Sequence, residues 1–236
     1  MTKKRPKTTD ALMRYLREEK GISISGSSQK RKLMNIGYYH GYKGYRYIGK
    51  ASNSIHYTNF DELMAVYEFD AQLKALFYPY VMQIETALKS YVLEVVVSQV
   101  NSDSFIDVYN KLLDNYKAFS TAGSVYSDFK QRKKAEDVVF DTRFRTNKID
   151  RQVCNAISNA TNVPNLNFET ITDYLVLIVY LLSLLRISKN DSKRLISSYI
   201  ECTERLRKAI PANVYSQIIR TDNSSKVVAL RKFIWS

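Results

Sequence analysis

The residues of this sequence best suited to contacting a ligand are concentrated in one stretch, GYYHGYKGYRYIGK, at residues 37–50. It holds five tyrosines, three Lys or Arg side chains, one of the chain's two histidines and four of its seven glycines. Tyrosine rings offer flat faces on which nucleobases stack, and lysine and arginine pair with phosphates. Glycine lets a backbone approach a ligand closely. The mixture favours single-stranded RNA as ligand, because its bases are splayed and free to stack.

Ten residues in and just before this stretch are the candidate RNA-binding residues. Those expected to pair with phosphates are Lys30, Arg31, Lys32, Lys43 and Arg46. Those expected to stack on or hydrogen-bond with bases or riboses are Tyr38, Tyr39, His40, Tyr42 and Tyr45. In the alternative interpretation, the tyrosines at 38, 42 and 45 form a helix-spaced face buried against a long helix, where each hydroxyl finds a partner. The tyrosines could also divide between the two roles.

Groups that could support catalysis are few. The only histidines are His40 and His56, and neither lies near a cysteine or an Asp-Glu cluster in the sequence, so a catalytic triad or histidine-rich metal site has few candidate members. No glycine-rich phosphate loop of Walker or Rossmann spacing is present. We therefore expect no metal and no cofactor, and the spacing of residues leaves the catalytic residues, if any, unknown.

The charge of the chain is concentrated near its N-terminus. The net charge is +13, and residues 1–56 carry thirteen Lys and Arg against three acids, which places +10 of the total there. A local basic excess is the electrostatic signature of a nucleic-acid contact. The two cysteines, Cys154 and Cys202, have no paired-ligand spacing, and no secretory signal opens the chain. These features predict a reduced, cytoplasmic protein.

Apolar residues recur at helical spacing along most of the chain, and no strand-like alternation persists, so we predict an all-α helical bundle. The most apolar run, Tyr174–Leu185, is shorter than the roughly 20 residues of a membrane-spanning helix. Four regions are expected: a basic flexible tail at 1–10, an N-terminal helical part with the RNA-contact region at 11–125, a charged connector at 126–150, and C-terminal helices of the same domain at 151–236.

Capping residues and helix breakers predict where individual helices begin and end. A first helix is expected to be capped by Thr9 or Asp10 and to end at Gly21, and a second to end at Gly37. Asn59 and Glu62 have the spacing of a capping box for a long helix, which Pro79 is expected to kink or divide. The remaining predictions are a helix at Phe105–Phe119, one from Phe168 to Ile187 capped by Asn167, one after SKNDSK ended by Pro211, and a C-terminal segment that packs back on the bundle.

Two segments, KLMNIGYYHGYKGYRYI and FDELMAVYEFDAQLKALFYPYVMQIETALKSYVLE, resemble the Abi-like proteins of bacterial abortive infection, the AbiD/AbiF group. This group is placed in the HEPN superfamily of helical domains that act on RNA. The resemblance covers residues 8–120 and much of 137–220. It implies a HEPN-like bundle, a role in phage defence or a toxin-antitoxin-like module, and RNA as ligand or substrate. The expected partners are RNA, with a dedicated small RNA as one candidate, and a second copy of the chain in a homodimer.

The resemblance also implies a catalytic motif, an Arg followed after four to six residues by a His, in which His acts on the ribose 2′-hydroxyl or the leaving group and Arg steadies the phosphate. This chain departs from it. The positions required before His40 hold Leu33, Met34 and Asn35, and those before His56 hold Gly49, Lys50 and Ala51. The segment between Phe119 and Val138 is also short for the family. We therefore expect a shortened member in which ribonuclease activity is lost or altered.

Three hypotheses remain open from the sequence. The first is an RNA-binding protein of a phage-defence system. The second is an active, metal-independent endoribonuclease toxin in which folding brings His40 or His56 near an arginine distant in sequence. The third is a protein-interaction module without a role in RNA binding.

Overall fold

The computed structural model describes residues 7–48, 52–100, 102, 104, 106–111, 114, 147–220 and 222–236. Within these residues the fold is all-α, which confirms the predicted fold class, and β-type pairing is limited to two isolated bridges, Ser23 with Asn59 and Tyr47 with Ser54. The specific likeness to a HEPN bundle stays a prediction. Most of the predicted tail at 1–10 and of the predicted connector at 126–150 lies outside the described residues.

The helices in the first half of the chain are α1 (Thr9–Lys20), α2 (Gly26–Ile36), α3 (Lys43–Tyr45) and α4 (Phe60–Val100). A π-helical turn, Tyr38–Tyr42, joins α2 to α3. Residues 106–111, inside the predicted Phe105–Phe119 helix, are also helical. The helices in the second half are α5 (Asn147–Thr161), α6 (Ile171–Leu184), α7 (Lys189–Ala209), α8 (Ala212–Ile218) and α9 (Asn223–Trp235).

The start of α1 differs by one residue from the prediction. Thr8 is the N-cap, and its hydroxyl oxygen accepts a hydrogen bond from the Ala11 backbone N–H at 3.3 Å, whereas Thr9 and Asp10 lie inside the first turn. The helix ends at Gly21 in the left-handed conformation, with φ of 66°, as the sequence indicated. Asp10 in the first turn also complements the helix dipole, so it stabilises the helix from a position other than the cap.

The long helix α4 begins as predicted and continues through its proline. The backbone N–H of Glu62 donates to Asn59 Oδ1 at 3.0 Å, and the Glu62 carboxylate accepts from the Thr58 backbone N–H at 2.8 Å. Pro79 lies inside the helix, so the prediction that it divides α4 is wrong. Proline removes only one backbone donor, and the side chains next to it, Tyr80 and Ile84, are buried in the core and hold this part of the helix in place.

The start of α6 corrects another prediction. Asn167 does not cap this helix: its side chain accepts a hydrogen bond from the Glu169 backbone N–H at 3.2 Å, and Phe168 has a φ of 56°, outside the helical region. The cap is Thr170, which forms a complete capping box with Asp173. A Thr and an acid three residues later are the expected signature, but the asparagine three residues upstream offered a competing cap.

The core is built where α4, α6, α7 and α9 pack against one another. The rings of Phe77 on α4 and Tyr199 on α7 stack with centroids 6.3 Å apart. The first half of α4 is buried on this side, but Tyr91, Val92 and Leu93 in its second half are more than half exposed. In the part of the chain that the structure describes, no helix is both long and apolar enough to cross a bilayer.

A buried ionic network joins α6 to α9. Lys226 is fully buried, and its ammonium lies 2.6 Å from Asp173 Oδ1 and 2.7 Å from Asp222 Oδ2. Asp173 is also fully buried and at the same time completes the capping box of α6. Nearby, the hydroxyls of Thr172 and Tyr199 lie 2.9 Å apart. Since buried charges need partners, this network requires α6 and α9 to meet in one register.

Gly37 connects α2 to the π-helical turn with φ of 71° and ψ of 156°, a conformation essentially restricted to glycine. We expect Gly37→Ala to lower the free energy of unfolding by about 1–3 kcal/mol. Gly44→Ala is the matched control, because Gly44 has no positive φ and the nearest atom to an added Cβ would be 3.7 Å away. Urea unfolding followed by circular dichroism measures both, and equal losses would contradict the role of the Gly37 backbone.

Candidate nucleic-acid interface

The structure divides the tyrosines of the predicted RNA-binding stretch between core and surface. Tyr42 is 5% exposed and belongs to the core, and Gly41 is also buried, with no room for a Cβ, which would lie 2.5 Å from Ile36 Cγ1. Tyr39 is 70% exposed, and His40 is also exposed. The π-helical turn widens the backbone here, so neighbouring residues along one short segment point to different sides. Only part of the stretch is therefore available to a ligand.

The accessible part combines aromatic rings with lysines. The Lys43 ammonium lies 4.4 Å from the centroid of the Tyr39 ring and 5.4 Å from that of Tyr38. The rings of Tyr38 and Tyr39 meet edge to face, with centroids 5.5 Å apart. A positive charge held over a ring face stabilises the arrangement and leaves the charge accessible. Rings and cations thus alternate on one surface.

Helix α1 and Lys7, just before its cap, extend this surface with residues outside the ten sequence-based candidates. The Lys7 ammonium lies 3.9 Å from the centroid of the Tyr15 ring, and the Lys20 ammonium lies 5.3 Å from it. The Tyr15 ring packs edge to face on Tyr38 at 6.3 Å. We call the set formed by Lys7, Tyr15, Lys20, Tyr38, Tyr39 and Lys43 the cationic tyrosine surface. The signal available in the sequence was a tyrosine with lysines five and eight residues away, which is weak.

Ionisation on this surface is governed by burial and by the neighbouring lysines. Partial burial acts to raise the pKa of Tyr15, but hydrogen bonding to Lys20, the Lys20 charge, the Tyr38 hydroxyl and the Lys7 charge together bring that pKa below its ordinary value. The hydrogen bond with Tyr15 in turn raises the pKa of Lys20. Burial, followed by the influence of Tyr15, raises the pKa of Tyr38 to about 12. Lys20 and the Tyr38 hydroxyl therefore keep their protons at neutral pH.

Tyr45 and Tyr42 face inward instead. The Tyr45 hydroxyl donates to the Asp70 carboxylate, its backbone carbonyl accepts from the Tyr57 hydroxyl at 2.8 Å, and its ring packs edge to face on Tyr67. Burial raises the pKa of Tyr42 above its ordinary value. These contacts match the alternative interpretation, in which buried tyrosines find partners for their hydroxyls, and they anchor the segment to α4.

The predicted phosphate-binding cations also differ in how free they are. Lys30 forms an ion pair with Asp10 at 2.7 Å, and Lys32 lies 3.8 Å from Asp61. Arg31 is exposed and, like Lys43, has no carboxylate partner among the described residues. The Arg46 guanidinium stacks over the Tyr47 ring at 4.4 Å. Its Nε is buried and has no hydrogen-bond partner among the described residues. Lys43 and Arg31 are thus the most available of the five.

The histidines show no catalytic arrangement within the described part of the chain. His40 and His56 are both exposed, and neither imidazole forms a hydrogen bond with an arginine among those residues. The same residues hold no group of three or more His, Cys, Asp or Glu side chains that could bind a metal. Cys154 and Cys202 are buried and form no disulfide. The endoribonuclease hypothesis thus gains no geometric support.

Comparison with known proteins identifies a family that matches most of the chain. A family model described as Abi-like protein matches residues 31–232, which include the tyrosine-rich stretch, α4 and the C-terminal helices. No curated protein and no solved structure matches the chain. The match extends over most of the sequence and agrees with the resemblance carried by the segments around residues 33–94. The chain belongs to the Abi-like protein family.

Proposed function

We propose that the protein is an RNA-binding component of a bacterial abortive-infection system, in which ribonuclease activity is lost or altered. Membership of the Abi-like family suggests the role in phage defence. The RNA ligand is supported by the composition of the cationic tyrosine surface. The toxin-antitoxin-like setting and a dedicated small RNA belong to the same proposal.

The observation that carries the proposal is the placement of lysines beside accessible tyrosine rings. Tyr39 is 70% exposed, with Lys43 4.4 Å from its centroid, and the Tyr15 ring has Lys7 at 3.9 Å. Bases stack on rings of this kind while neighbouring ammonium groups pair with the phosphates that link them. A duplex hides its base faces, whereas a single strand exposes them, so the surface favours unpaired RNA.

The proposal includes the loss or alteration of ribonuclease activity. The Arg and His pair that the family resemblance implies is missing from the sequence. The arginine of that pair steadies the phosphate, so its absence from the expected position supports a loss or change of ribonuclease activity. The proposed role of His40 is therefore contact with a base or ribose.

Purification with any bound nucleic acid tests the proposal most directly. The protein would be expressed with its native flanking DNA, and the co-purifying nucleic acid would be extracted and sequenced. We expect one discrete RNA species that stays bound at physiological salt. Recovery of no RNA, or of random fragments that dissociate at moderate salt, would contradict the proposal and favour a protein partner.

The protein-interaction hypothesis and the predicted homodimer stay predictions. The observation relevant to both is the exposed apolar surface in the second half of α4, where Tyr91, Val92 and Leu93 are 57–62% exposed. Three consecutive residues of a helix point in different directions, so this part of α4 is accessible on several sides in the described structure. Such a surface is unusually apolar for contact with water.

A further inference from the structure

A cleft of about 760 Å³ is lined in part by Gly44 and Tyr45, the two residues that follow Lys43 of the cationic tyrosine surface. Three parts of the chain line it: residues within 44–48 and 52–55, the α4 turn at 66–70, and residues 169–171 together with 217–220. The lining side chains include Tyr45, Tyr47, Phe69, Asp70, Ile171 and Arg220. Its volume lies within the range of about 300–1,000 Å³ that is usual for small-molecule sites. Apolar walls with a few polar groups are the composition of such sites.

The main polar group in the cleft is the Asp70 carboxylate. Its Oδ2 accepts a hydrogen bond from the Tyr45 hydroxyl and another from the Lys74 ammonium at 2.6 Å. Within the described residues, no donor reaches its Oδ1. An ionised carboxylate oxygen only accepts hydrogen bonds, so this atom selects a ligand that presents an N–H or O–H group and disfavours one that presents a carbonyl.

Arg220 supplies a positive charge at the edge of the same cleft. Its Nη1 lies 3.1 Å from Glu169 Oε2, and the two side chains are 54% and 64% exposed. Ion pairs at this level of exposure contribute little stability, so a phosphate can replace Glu169 as the partner of Arg220. The cleft thus combines an apolar and aromatic interior with the Asp70 carboxylate, whose Oδ1 accepts no hydrogen bond from the described residues, and with the Arg220–Glu169 ion pair at its edge.

From this combination we infer that the cleft binds a nucleotide whose base carries an exocyclic amino group. The base lies between the tyrosine and apolar walls, its amino group donates to Asp70 Oδ1, and its phosphate pairs with Arg220. Cytosine, adenine and guanine have such an amino group. Uracil and hypoxanthine instead offer a ring N–H with a carbonyl oxygen beside it and no amino group, so their approach to the carboxylate brings a repelling oxygen close to its negative charge. The carboxylate therefore separates the two groups of bases.

Two sources can supply this chemistry, a free nucleotide or one nucleotide of a bound RNA. Tyr45 lines the cleft, and Lys43, two residues before it, belongs to the cationic tyrosine surface, so a strand on that surface passes close to the cleft. The RNA source rests on the proposed function, whereas the free-nucleotide source does not. With either source, Asp70 recognises the amino group of the base.

Calorimetric titration of the RNA-free full chain with matched ligand pairs tests the inference. The pairs are cytidine with uridine monophosphate, guanosine with inosine monophosphate, and oligocytidine with oligouridine. We expect the amino-bearing member to bind about tenfold more tightly, the usual effect of one hydrogen bond to a charged group. Mononucleotides that show this preference identify a free nucleotide as the source, and a preference confined to oligonucleotides identifies RNA.

The decisive variant is Asp70→Asn. Tyr45 and Lys74 both donate to one oxygen, so the retained amide oxygen is expected to stay with them and the amide nitrogen to replace Oδ1 as a donor. The tenfold preference should then disappear. Glu85→Gln is the matched control, because Glu85 also pairs with a lysine four residues on, Lys89, on α4 but outside the cleft. This control should keep the preference.

A second variant controls for a general effect of substitution on folding. Arg220→Gln is on the surface and should weaken both members of each pair alike, with the preference unchanged. Equal affinities for the two members of every pair in the unmodified protein, or a preference that survives Asp70→Asn, would overturn the inference. After either result, the proposed function would still hold if RNA binding depended on the cationic tyrosine surface. If the protein bound no RNA at all, the proposed function would be wrong.

Discussion

Replacing Lys226 with methionine is expected to lower the free energy of unfolding by about 3–5 kcal/mol. The ammonium is fully buried between Asp173 and Asp222, at 2.6 and 2.7 Å. Methionine fills a similar volume but leaves the fully buried Asp173 carboxylate without its cation. Removal of one partner of a buried pair is costly because the remaining charge is isolated from water. Urea unfolding followed by circular dichroism measures the loss.

Two further variants separate this charge effect from a change of packing. Lys232→Met alters the same residue type on α9 at an exposed position and should change the unfolding free energy by less than about 0.5 kcal/mol. Asp173→Asn combined with Lys226→Met removes the two fully buried charges, leaves the partly exposed Asp222 carboxylate, and keeps an oxygen that accepts hydrogen bonds at the start of α6. It should therefore be more stable than the lysine variant alone. A lysine variant that loses under about 1 kcal/mol would show that the network is not a stabilising requirement of the core.

Neutralising the cationic tyrosine surface is expected to reduce affinity for single-stranded RNA about 100-fold at 0.1 M salt. The variant is Lys7→Gln, Lys20→Gln and Lys43→Gln together. Each lost phosphate contact reduces the slope of log affinity against log salt by about 0.7, so three reduce it by about 2, which is about two decades at this salt concentration. Lys30 and Lys32 are less suitable, because Asp10 and Asp61 lie beside them.

The control for this variant removes the same charge elsewhere. Lys189→Gln, Lys208→Gln and Lys232→Gln change three exposed lysines on α7 and α9 and should leave both the affinity and the salt slope close to those of the unmodified protein. Fluorescence anisotropy with a labelled oligonucleotide across a salt series measures both quantities. If the two variants lose affinity equally, net charge rather than the cationic tyrosine surface governs binding.

Much of the helical framework could be predicted because its signals are local. Gly21 and Gly37 end their helices, Asn59 begins α4, and Ser188 caps α7 where the sequence SKNDSK indicated. The signals failed where two alternatives were close in sequence. Asn167 and Thr170 are both good caps, and only packing of the following apolar residues decides between them.

The proposed RNA-binding surface was less predictable because it depends on contacts between distant segments. The sequence showed five tyrosines within fourteen residues. Which of them are accessible depends on the π-helical turn, in which Tyr42 is buried and Tyr39 is exposed. Tyr15 joins the surface only because α1 packs beside this turn. Similarly, the burial of Lys226 could not be predicted from neighbouring residues, because its partner Asp173 lies 53 positions earlier in the sequence.

We expect the two halves of α4 to differ in how readily their backbone hydrogen bonds open. The helix has 41 residues, a length of roughly 60 Å at 1.5 Å per residue. Up to Ile84 one side of the helix is buried in the core, so we expect amide hydrogens there to exchange with solvent mainly when that core unfolds. Beyond Ile84 the side chains are mostly exposed, so these turns can open without disturbing the core. A single continuous helix thus contains two units of local stability.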